Sequence, residues 1–428
     1  MNVSAFRKVF MFAVSLLTRA DRKLPFFKLY TCISHILGLE NVQLFVIKGL
    51  VKDTNCSATT LFVGDETSAY YFAYLGYSHI KKLFSLGKFL FRQVDPSGLT
   101  DVDVIVVDAR AHRVSKFLKQ GYLLLPQVSF SLDLGRPVCD IIKRSSRRRR
   151  RSIKELNRFN YSYAISRNNE KNFDFYYWKM YLPYTRKRFG MCAFTLSYSR
   201  LKALYRRNGG IIFVLKGKKP LAGMLFRTNG KTLYALNLGA YEGDQNYLRD
   251  LACQAALFFL IEWAKMKGIK SLNYGLTVPF LANGNFQYKK EWGMFMDEVA
   301  GKPFCALKIN SLNGSSLSFL HQNPFIFLDA GVPKGVIFLD HRPSEKELQK
   351  IFSMYLFPKL DSLIVIGYYN HNTGAANETD FPIESQNMPD VLGKGLSHVY
   401  SSLRKRGFTV EVFVRERIKF CAPTFGYS

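Results

Sequence analysis

A strand that runs through a glycine-containing loop into a long helix is the first feature that could hold a ligand. The loop reads LGAYEGDQNY over 238–247, and the helix is predicted over Tyr247–Lys267 with Gly268 at its C-terminal end. The first turn of a helix has unpaired backbone N–H groups and the positive end of the helix dipole, which favour a phosphate-bearing cofactor. The residues assigned to cofactor binding are Gly239 and Gly243, for close backbone approach, with Asn246 and Tyr247.

Basic residues are concentrated in one part of the chain. The 428 residues include 61 Lys and Arg against 32 Asp and Glu, a net charge of +29. Residues 143–219 hold 22 of the basic residues and three acidic ones, so this segment carries +19. The run 143–151 includes five adjacent arginines, which repel one another unless an anion is bound. Because the arginine fork fits phosphate oxygens, we expect Arg147 and Arg148 to bind an anionic substrate; a solvated helix face or a targeting signal is the alternative.

Composition excludes several classes of protein. A chain with 48% hydrophobic and 22% charged residues is globular, neither disordered nor collagen-like. The seven cysteines show no CxxC spacing and the seven histidines are scattered, so we expect neither a disulfide framework nor a metal site. The longest apolar runs are shorter than the ~20 residues that a bilayer-spanning helix needs. We expect a cytoplasmic protein, with peripheral association to the inner face of a membrane as an alternative.

The elements that must position these residues form two α/β halves. Tyr122–Leu134 reads as one strand that ends the first half, and Arg110–Gln120 as a helix before it. In the second half, a helix over Phe173–Phe189 precedes a three-stranded meander over 211–238. The predicted organisation is a basic amphipathic segment over 1–24, a first half over 25–140, a second half over 141–312, and a separate α/β module over 325–428.

Short motifs in the second half resemble those of FemAB-like proteins in the GNAT acyltransferase superfamily. The family pattern is an acidic residue with an aromatic and a glycine, a glycine-containing loop, then an aromatic–lysine pair and Trp–Gly. Asn273–Tyr274–Gly275, Gly284 and Tyr288–Lys289–Lys290–Glu291–Trp292–Gly293 follow that order, with Asn273 where the family commonly has aspartate. Further matches are Leu132–Asp133–Leu134, Ser145–Ser146, Arg147–Arg151, Tyr181–Leu182–Pro183 and Arg186–Lys187–Arg188 with Gly190. The resemblance spans about 100–300 and is strongest to the branch that includes cellulose-biosynthesis-associated acetyltransferases.

The resemblance implies tandem GNAT-like domains, with mixed sheets flanked by helices, and a transferase that uses acyl-CoA. The acyl group would move to an amine or hydroxyl of an anionic small molecule or of a glycan or lipid precursor, as in polysaccharide biosynthesis. GNAT chemistry needs a proton donor for the departing thiolate, and Tyr274 and Tyr241 are the candidates. Glu242 would be the base that deprotonates an acceptor amine. The substrate-binding residues are then Lys289, Asn273, Tyr288, Arg147, Arg148 and Arg186.

Two other functions fit the same sequence. The first is aminoacyl transfer from tRNA, in which the basic segment would hold RNA phosphates. The second is a non-catalytic protein that binds nucleic acid or a membrane through 143–219. Copurifying nucleic acid would favour either of these, whereas a thermal shift with CoA would favour acyl transfer. The sequence determines neither the acceptor nor the oligomeric state.

Overall fold

The computed structural model describes residues 41–90, 101–108, 121–190, 193, 195–244, 246–297, 303–369, 388–406 and 408–416. The predicted segment 1–24 and the predicted helix Arg110–Gln120 lie outside the described residues. Within them, helices flank two mixed β-sheets, one of ten and one of seven strands, which confirms the α/β fold class.

The described residues form seventeen strands. They are β1 Asn41–Val51, β2 Ser57–Gly64, β3 Tyr77–Leu90, β4 Val104–Asp108, β5 Leu123–Pro126, β6 Val128–Asp133, β7 Tyr161–Ser166, β8 Gly209–Lys216, β9 Lys219–Asn229, β10 Thr232–Ala240, β11 Ser271–Thr277, β12 Phe295–Met296, β13 Pro303–Ile309, β14 Phe325–Asp329, β15 Val332–Leu339, β16 Ser362–Tyr369 and β17 Thr409–Glu416.

The described helices include one π-helix, Tyr176–Tyr181, and two short 3₁₀ turns, Asn157–Phe159 and Tyr241–Gly243. The α-helices are α1 Glu66–Gly76, α2 Val138–Arg144, α3 Arg147–Leu156, α4 Glu170–Phe175, α5 Leu182–Phe189, α6 Tyr198–Arg206, α7 Asn246–Arg249, α8 Ala252–Met266, α9 Gly284–Glu291, α10 Gly314–Gln322, α11 Glu345–Tyr355 and α12 Met388–Lys405. Among them, none combines the length and apolar character that a bilayer-spanning helix needs.

The ten-stranded sheet contains both the first and the last of the described strands. Its strand order is β17-β16-β15-β14-β5-β13-β4-β2-β1-β3. The sequence predicted a separate module over 325–428, but β14 pairs with β5, so the described strands of that segment extend the sheet of the first half. The hydrophobic pattern of a strand shows which of its side chains are buried. These side chains are buried whether the strand belongs to a separate module or to a shared sheet, so the pattern could not distinguish the two arrangements.

The predicted strand Tyr122–Leu134 is two strands in different sheets. β5 ends at Pro126 in the ten-stranded sheet, and β6 begins at Val128 in the seven-stranded sheet. β6 then pairs with β11 and β12, both antiparallel. The single residue between β5 and β6 is therefore where the chain passes from one sheet to the other.

The seven-stranded sheet has the order β12-β6-β11-β10-β9-β8-β7. β7 to β10 form an antiparallel meander, which includes the meander predicted over 211–238, and β9 turns into β10 at Asn229–Gly230, where Gly230 has φ +56. α8 then crosses back so that β11 runs parallel to β10. Helices α4 and α6 and the π-helix pack on one face of this sheet, and α8 packs on the other. Helix α5 contributes to both cores, through Leu182 on the first side and Tyr184 on the side of α8.

Two predicted helices differ in detail from the structure. The helix predicted over Tyr247–Lys267 is broken: α7 ends at Arg249, and α8 begins at Ala252 after Leu251, whose φ is +60. The helix predicted over Phe173–Phe189 is α4, the π-helix and α5 in continuous succession.

Candidate active site

Strands β10 and β11 pair over a short stretch and then separate. Their parallel register covers three residue pairs, which end at Tyr234 opposite Asn273. Within the described chain, the rest of β10, up to Ala240, has β9 on one side and no strand on the other. The β10–β9 register also shifts between Ala235 and Asn237, so a bulge lies just where the two strands part. The result is an open strand edge at the centre of a sheet.

The first turn of α8 lies on the same face of the sheet as Tyr274. Ala252 and Cys253 are buried there, no acidic residue occupies the turn, and no side chain caps it. Burial raises the pKa of the Cys253 thiol to about 12, so this cysteine is a thiol rather than a thiolate at neutral pH. The first turn itself contains no acidic side chain, which favours an anion at its positive dipole end.

Tyrosines gather where β11 leaves β10. Tyr274 follows directly after the last paired residue, and its ring centroid lies 6.0 Å from that of Tyr288 on α9. Burial raises the pKa of Tyr274 well above its ordinary value and also raises the pKa of Tyr288. Tyr184, whose pKa burial raises to about 12, interacts electrostatically with Cys253, Arg188 and Tyr288. All three tyrosines therefore hold their protons at neutral pH.

Lys289 lies beneath this tyrosine group rather than on its surface. The residue is 4% exposed, and its Nζ donates to the carbonyl oxygens of Gly275 at 2.9 Å and Leu276 at 3.0 Å. The same Nζ is 5.7 Å from the ring centroid of Tyr274 and 5.4 Å from that of Phe130. Burial lowers the pKa of Lys289 to about 7. The sequence predicted that Lys289 binds substrate, and the structure shows in addition that its ammonium group donates to two backbone carbonyls.

Asn273 belongs to a polar network on the neighbouring strand. Its Nδ2 donates to Asp297 Oδ2 at 3.0 Å and to Ser129 Oγ at 3.0 Å. Its Oδ1 accepts from the backbone N–H of Gly275 at 2.9 Å. Gly275 has φ +74, and the β11–β6 register shifts across it. Asn273 therefore shapes the strand around Tyr274, a positioning contact in addition to the substrate contact predicted for it.

Arg149 is the one buried member of the arginine run. It is 3% exposed, and it donates to Glu291 Oε2 at 2.7 Å and to the side-chain oxygen of Gln254. Its guanidinium lies 4.7 Å from the ring centroid of Tyr288 and 5.1 Å from that of Trp292. Arg149 thus connects α3 to α8 and α9, the two helices beside the open strand edge.

The other predicted arginines lie at the surface. Arg147 and Arg148 are exposed on α3, and Arg148 pairs weakly with Glu291 at 3.5 Å. Arg186 is exposed on α5. These side chains can meet an anion from solvent, but the structure does not gather them into one pocket with Tyr274.

Gly239 and Gly243 make room for protein rather than for a ligand. A Cβ on Gly239 would lie 2.7 Å from the Met180 carbonyl carbon, and one on Gly243 would lie 2.8 Å from the Pro183 carbonyl carbon and oxygen. The sequence predicted that the backbone at both positions approaches a cofactor closely. However, the partner at each glycine is the helix backbone around Pro183, so their missing side chains are no evidence for a cofactor.

The remaining predicted residues lie apart from the tyrosine group. Tyr241 stacks on Phe175 at 5.9 Å on the α4 face of the sheet, and Glu242 is exposed with φ +51. Asn246 is exposed at the start of α7, and Tyr247 is partly buried beside it. Because the predicted long helix is broken at Leu251, Asn246 and Tyr247 do not lie in the first turn of α8.

Sequence reasoning missed several side chains that the structure brings to this place. They are Arg149 as a buried contact, Tyr184, Arg188, Cys253 and Gln254. For Arg149 a signal existed, because it precedes the buried Ile153 and Leu156 by four and seven residues on one helical face. The others lie in two pairs, Tyr184 with Arg188 on α5 and Cys253 with Gln254 on α8, and no spacing along the chain connects the two helices.

Comparison with known proteins yields only distant likenesses. No protein-family model and no curated protein matches the chain. Among solved structures, it is similar to the crystal structure of FemX, with 12% identity, 61% of this chain and 83% of that chain covered, and a TM-score of 0.34. It is also similar to the structure of L-PGS from Bacillus licheniformis, with 13% identity, 67% of this chain and 89% of that chain covered, and a TM-score of 0.31. The likeness to a GCN5-related N-acetyltransferase from Anabaena variabilis ATCC 29413 has 9% identity, covers 66% of this chain and 62% of that chain, and has a TM-score of 0.26. Likenesses at this distance do not decide the activity or the substrate of this chain.

Proposed function

We propose that the chain is an acyltransferase that moves an acyl group from acyl-CoA to an amine or hydroxyl of an anionic small molecule, glycan or lipid precursor. The observation that carries the proposal is the separation of β10 from β11 after Tyr234 and Asn273. An open strand edge offers backbone N–H and C=O groups to an extended ligand, and the pantetheine arm of CoA has two amides that can pair with them. The resemblance to FemAB-like GNAT proteins concerns this same part of the chain.

The residues at the open edge fit an acyl-CoA ligand in charge and in size. The first turn of α8 has small residues, Ala252 and Cys253, and presents its positive dipole end without an acidic side chain. The glycines of the preceding loop do not contribute to this fit, since the helix backbone fills the space beside them. We therefore assign donor binding to the β10 edge and α8 rather than to Gly239 and Gly243.

Acyl-CoA supplies an acyl group already activated as a thioester, so the protein mainly has to position the reactants and handle protons. The Tyr274 hydroxyl is protonated at neutral pH, since tyrosine has an ordinary pKa near 10 and burial raises the pKa of Tyr274 further. Its position directly after the last residue of β11 that pairs with β10 supports a role as the proton donor to a leaving thiolate. Backbone N–H groups on the open β10 edge would polarise the carbonyl.

An anionic acceptor is supported by the distribution of charge. Residues 143–219 carry +19, and Arg147, Arg148 and Arg186 are exposed to solvent. Exposed cations raise the local concentration of an anion and accelerate its arrival. Lys289 would then act under the tyrosine group, close to Tyr274, rather than as a surface contact.

A ligand-dependent thermal shift tests the donor. At 100 times its dissociation constant a ligand adds ~2.7 kcal/mol to stability, which is several degrees in Tm. We expect acetyl-CoA or a longer acyl-CoA to give such a shift at 150 mM salt, and ATP at the same concentration to give a smaller one. ATP is the control because a basic protein binds any polyanion. Equal shifts with both ligands would count against an acyl-CoA site, and a shift with aminoacyl-tRNA alone would favour the aminoacyl-transfer alternative.

A further inference from the structure

Trp178 differs from the other two tryptophans of the chain. Trp178 is 54% exposed to solvent, whereas Trp263 is 8% exposed and Trp292 is 1% exposed. It lies in the π-helix Tyr176–Tyr181, whose four other aromatic or apolar residues are all buried. A π-helical turn is a costly backbone form that is often found at functional sites. The four buried residues pack in the core between this turn and the seven-stranded sheet. Trp178 does not belong to that core, so packing does not explain why a tryptophan occupies this position.

A second aromatic ring holds Trp178 in place. Tyr198 at the start of α6 stacks on it, with ring centroids 5.8 Å apart and 20° between the planes. Tyr198 is itself fixed, because its hydroxyl donates to Asp174 Oδ1 at 2.5 Å and accepts from Lys202 Nζ at 2.9 Å. The indole therefore has one supported side and presents a preorganised ring to solvent. We call Trp178 and Tyr198 the aromatic platform.

The charges around the platform are mostly positive. Glu170, the acidic residue at the start of α4, is paired with Arg206 and, at 3.2 Å, with Lys202. Lys179 and Arg200, next to the platform in the chain, are exposed. The platform also lies within residues 143–219, which carry +19. An anionic partner with a flat ring fits these two properties together.

We propose that the aromatic platform is a docking site for single-stranded nucleic acid, with a base stacked on Trp178 and phosphates paired with the surrounding lysines and arginines. Stacking on aromatic side chains within a basic surface is how proteins bind single strands without sequence preference. A membrane surface fits less well, because a membrane-binding face presents several apolar side chains. In the described part of 170–206, Trp178 is the only large hydrophobic residue that is strongly exposed. The inference does not rest on the proposed acyl transfer.

Tryptophan fluorescence of the full chain can test the stacking directly. The probes are a 12-nucleotide oligo-uridine, its oligo-thymidine counterpart, and a 12-residue abasic strand that keeps the phosphates and lacks the bases. Because the other two tryptophans are buried, stacking should quench the emission of Trp178 alone. We expect quenching with both base-containing strands, none with the abasic strand, and none in Trp178→Phe with any strand. Comparison of the two base-containing strands shows whether the site prefers RNA.

Variants separate stacking from charge. Trp178→Ala should weaken binding by about five- to 140-fold, the equivalent of one stacked base, and leave the salt slope unchanged. Trp178→Phe should restore most of the affinity. Lys179→Gln with Arg200→Gln should reduce the salt slope by about 1.4, as expected for two lost phosphate contacts. Phe84→Ala, at a 47% exposed residue of β3 in the other sheet, is the matched control and should change nothing.

Three results would overturn the proposal. One is an abasic strand that binds as tightly as the base-containing strands, since charge alone would then explain binding. The second is full affinity in a Trp178→Ala protein that melts at the wild-type temperature. The third is a blue shift of Trp178 emission with phosphatidylglycerol vesicles and no response to either oligonucleotide, which would assign the platform to a membrane.

Discussion

The amide of Asn273 donates to Asp297 Oδ2 at 3.0 Å, and the hydroxyls of Ser129 and Ser131 donate to the same oxygen at 2.9 and 2.8 Å. The family-like motif commonly begins with an aspartate at the position of Asn273. In this chain the carboxylate comes instead from Asp297, 24 residues downstream. The network therefore contains a carboxylate on the residue that follows β12, and Asn273 donates to it.

Asn273→Asp should destabilise the protein at pH 7.5 by ~1–3 kcal/mol, because it replaces a hydrogen-bond donor by a second carboxylate beside Asp297. Like charges raise the pKa of such a pair in the folded state. The folded protein then binds more protons than the unfolded chain, so stability falls as the pH rises. Urea unfolding at pH 5 and 7.5 should show a smaller loss at pH 5. Asn273→Ser adds no charge and is the control; an equal pH dependence in both variants would contradict this reasoning.

Arg149→Gln should cost ~3–5 kcal/mol, whereas Arg147→Gln on the same helix should change stability by less than ~0.5 kcal/mol. The first substitution leaves Glu291 without its partner at 2.7 Å and removes the contact with Gln254. The second affects a side chain exposed to solvent. Chemical denaturation measures both. Equal losses would mean that Arg149 contributes no more than its surface neighbour.

The contrast between these arginines shows what the sequence could and could not predict. The charge run and the helix that follows it are evident, and Ile153 and Leu156 mark the buried face of α3. Extending that face by one turn reaches Arg149, so its burial could be inferred. Its partners could not, because Glu291 lies 142 residues away and only the tertiary fold brings it near.

The same limit applies to the fold as a whole. Local patterns identified the meander and the glycine-ended helix, because hydrogen bonding and side-chain periodicity are local. They did not show that β5 and β6 belong to different sheets, or that β14 joins the sheet of the first half. Which strands pair depends on contacts between segments far apart in the chain, and a local sequence pattern contains no information about such contacts.

Lys289→Met should make the stability of the protein less dependent on pH. Burial lowers the pKa of Lys289 from 10.5 to about 7, so between these values the unfolded chain binds the extra proton. Stability of the wild type should therefore rise from pH 7 to 9.5, by on the order of 1 kcal/mol per pH unit from this group. The variant should lose that increment. Denaturant titrations at several pH values measure the difference.

A surface lysine provides the comparison for this experiment. Lys346→Met, at an exposed position on α11, should shift stability by less than ~0.5 kcal/mol at every pH. Lys290 is a poorer control, because its Nζ donates to the Ser353 carbonyl at 2.7 Å and burial lowers its pKa to about 8. Parallel pH profiles for Lys289→Met and Lys346→Met would mean that Lys289 keeps the ordinary pKa of a lysine in the folded protein.

Tyr274→Phe should leave donor binding intact and slow turnover. The change removes the hydroxyl that we propose protonates the leaving thiolate, and a positioned general acid contributes about 10²–10⁴-fold to the rate. The thermal shift with acyl-CoA should persist, since the ring remains. Release of free thiol from acyl-CoA, followed with a thiol reagent, measures turnover. Tyr241→Phe, at the packed tyrosine on the other face of the sheet, should keep the wild-type rate; a larger loss there would move the proton donor to Tyr241.

Gly239→Ala tests whether the glycines of the strand-to-helix loop bind a cofactor or pack against protein. Its Cβ would lie 2.7 Å from backbone atoms of Met180 and Tyr181, which cannot withdraw without shifting the helix. We expect a loss of ~1–3 kcal/mol in stability, as for other overpacked sites. The acyl-CoA dissociation constant, measured at a temperature where the variant is folded, should change less than threefold.

Gly284→Ala is the control for this experiment. Nothing lies within 4 Å of the Cβ that alanine would add, and alanine favours the helix, so stability should stay equal or rise by ~0.4–1 kcal/mol. A variant Gly239→Ala with wild-type stability and weakened acyl-CoA binding would return this glycine to the cofactor site predicted from the sequence.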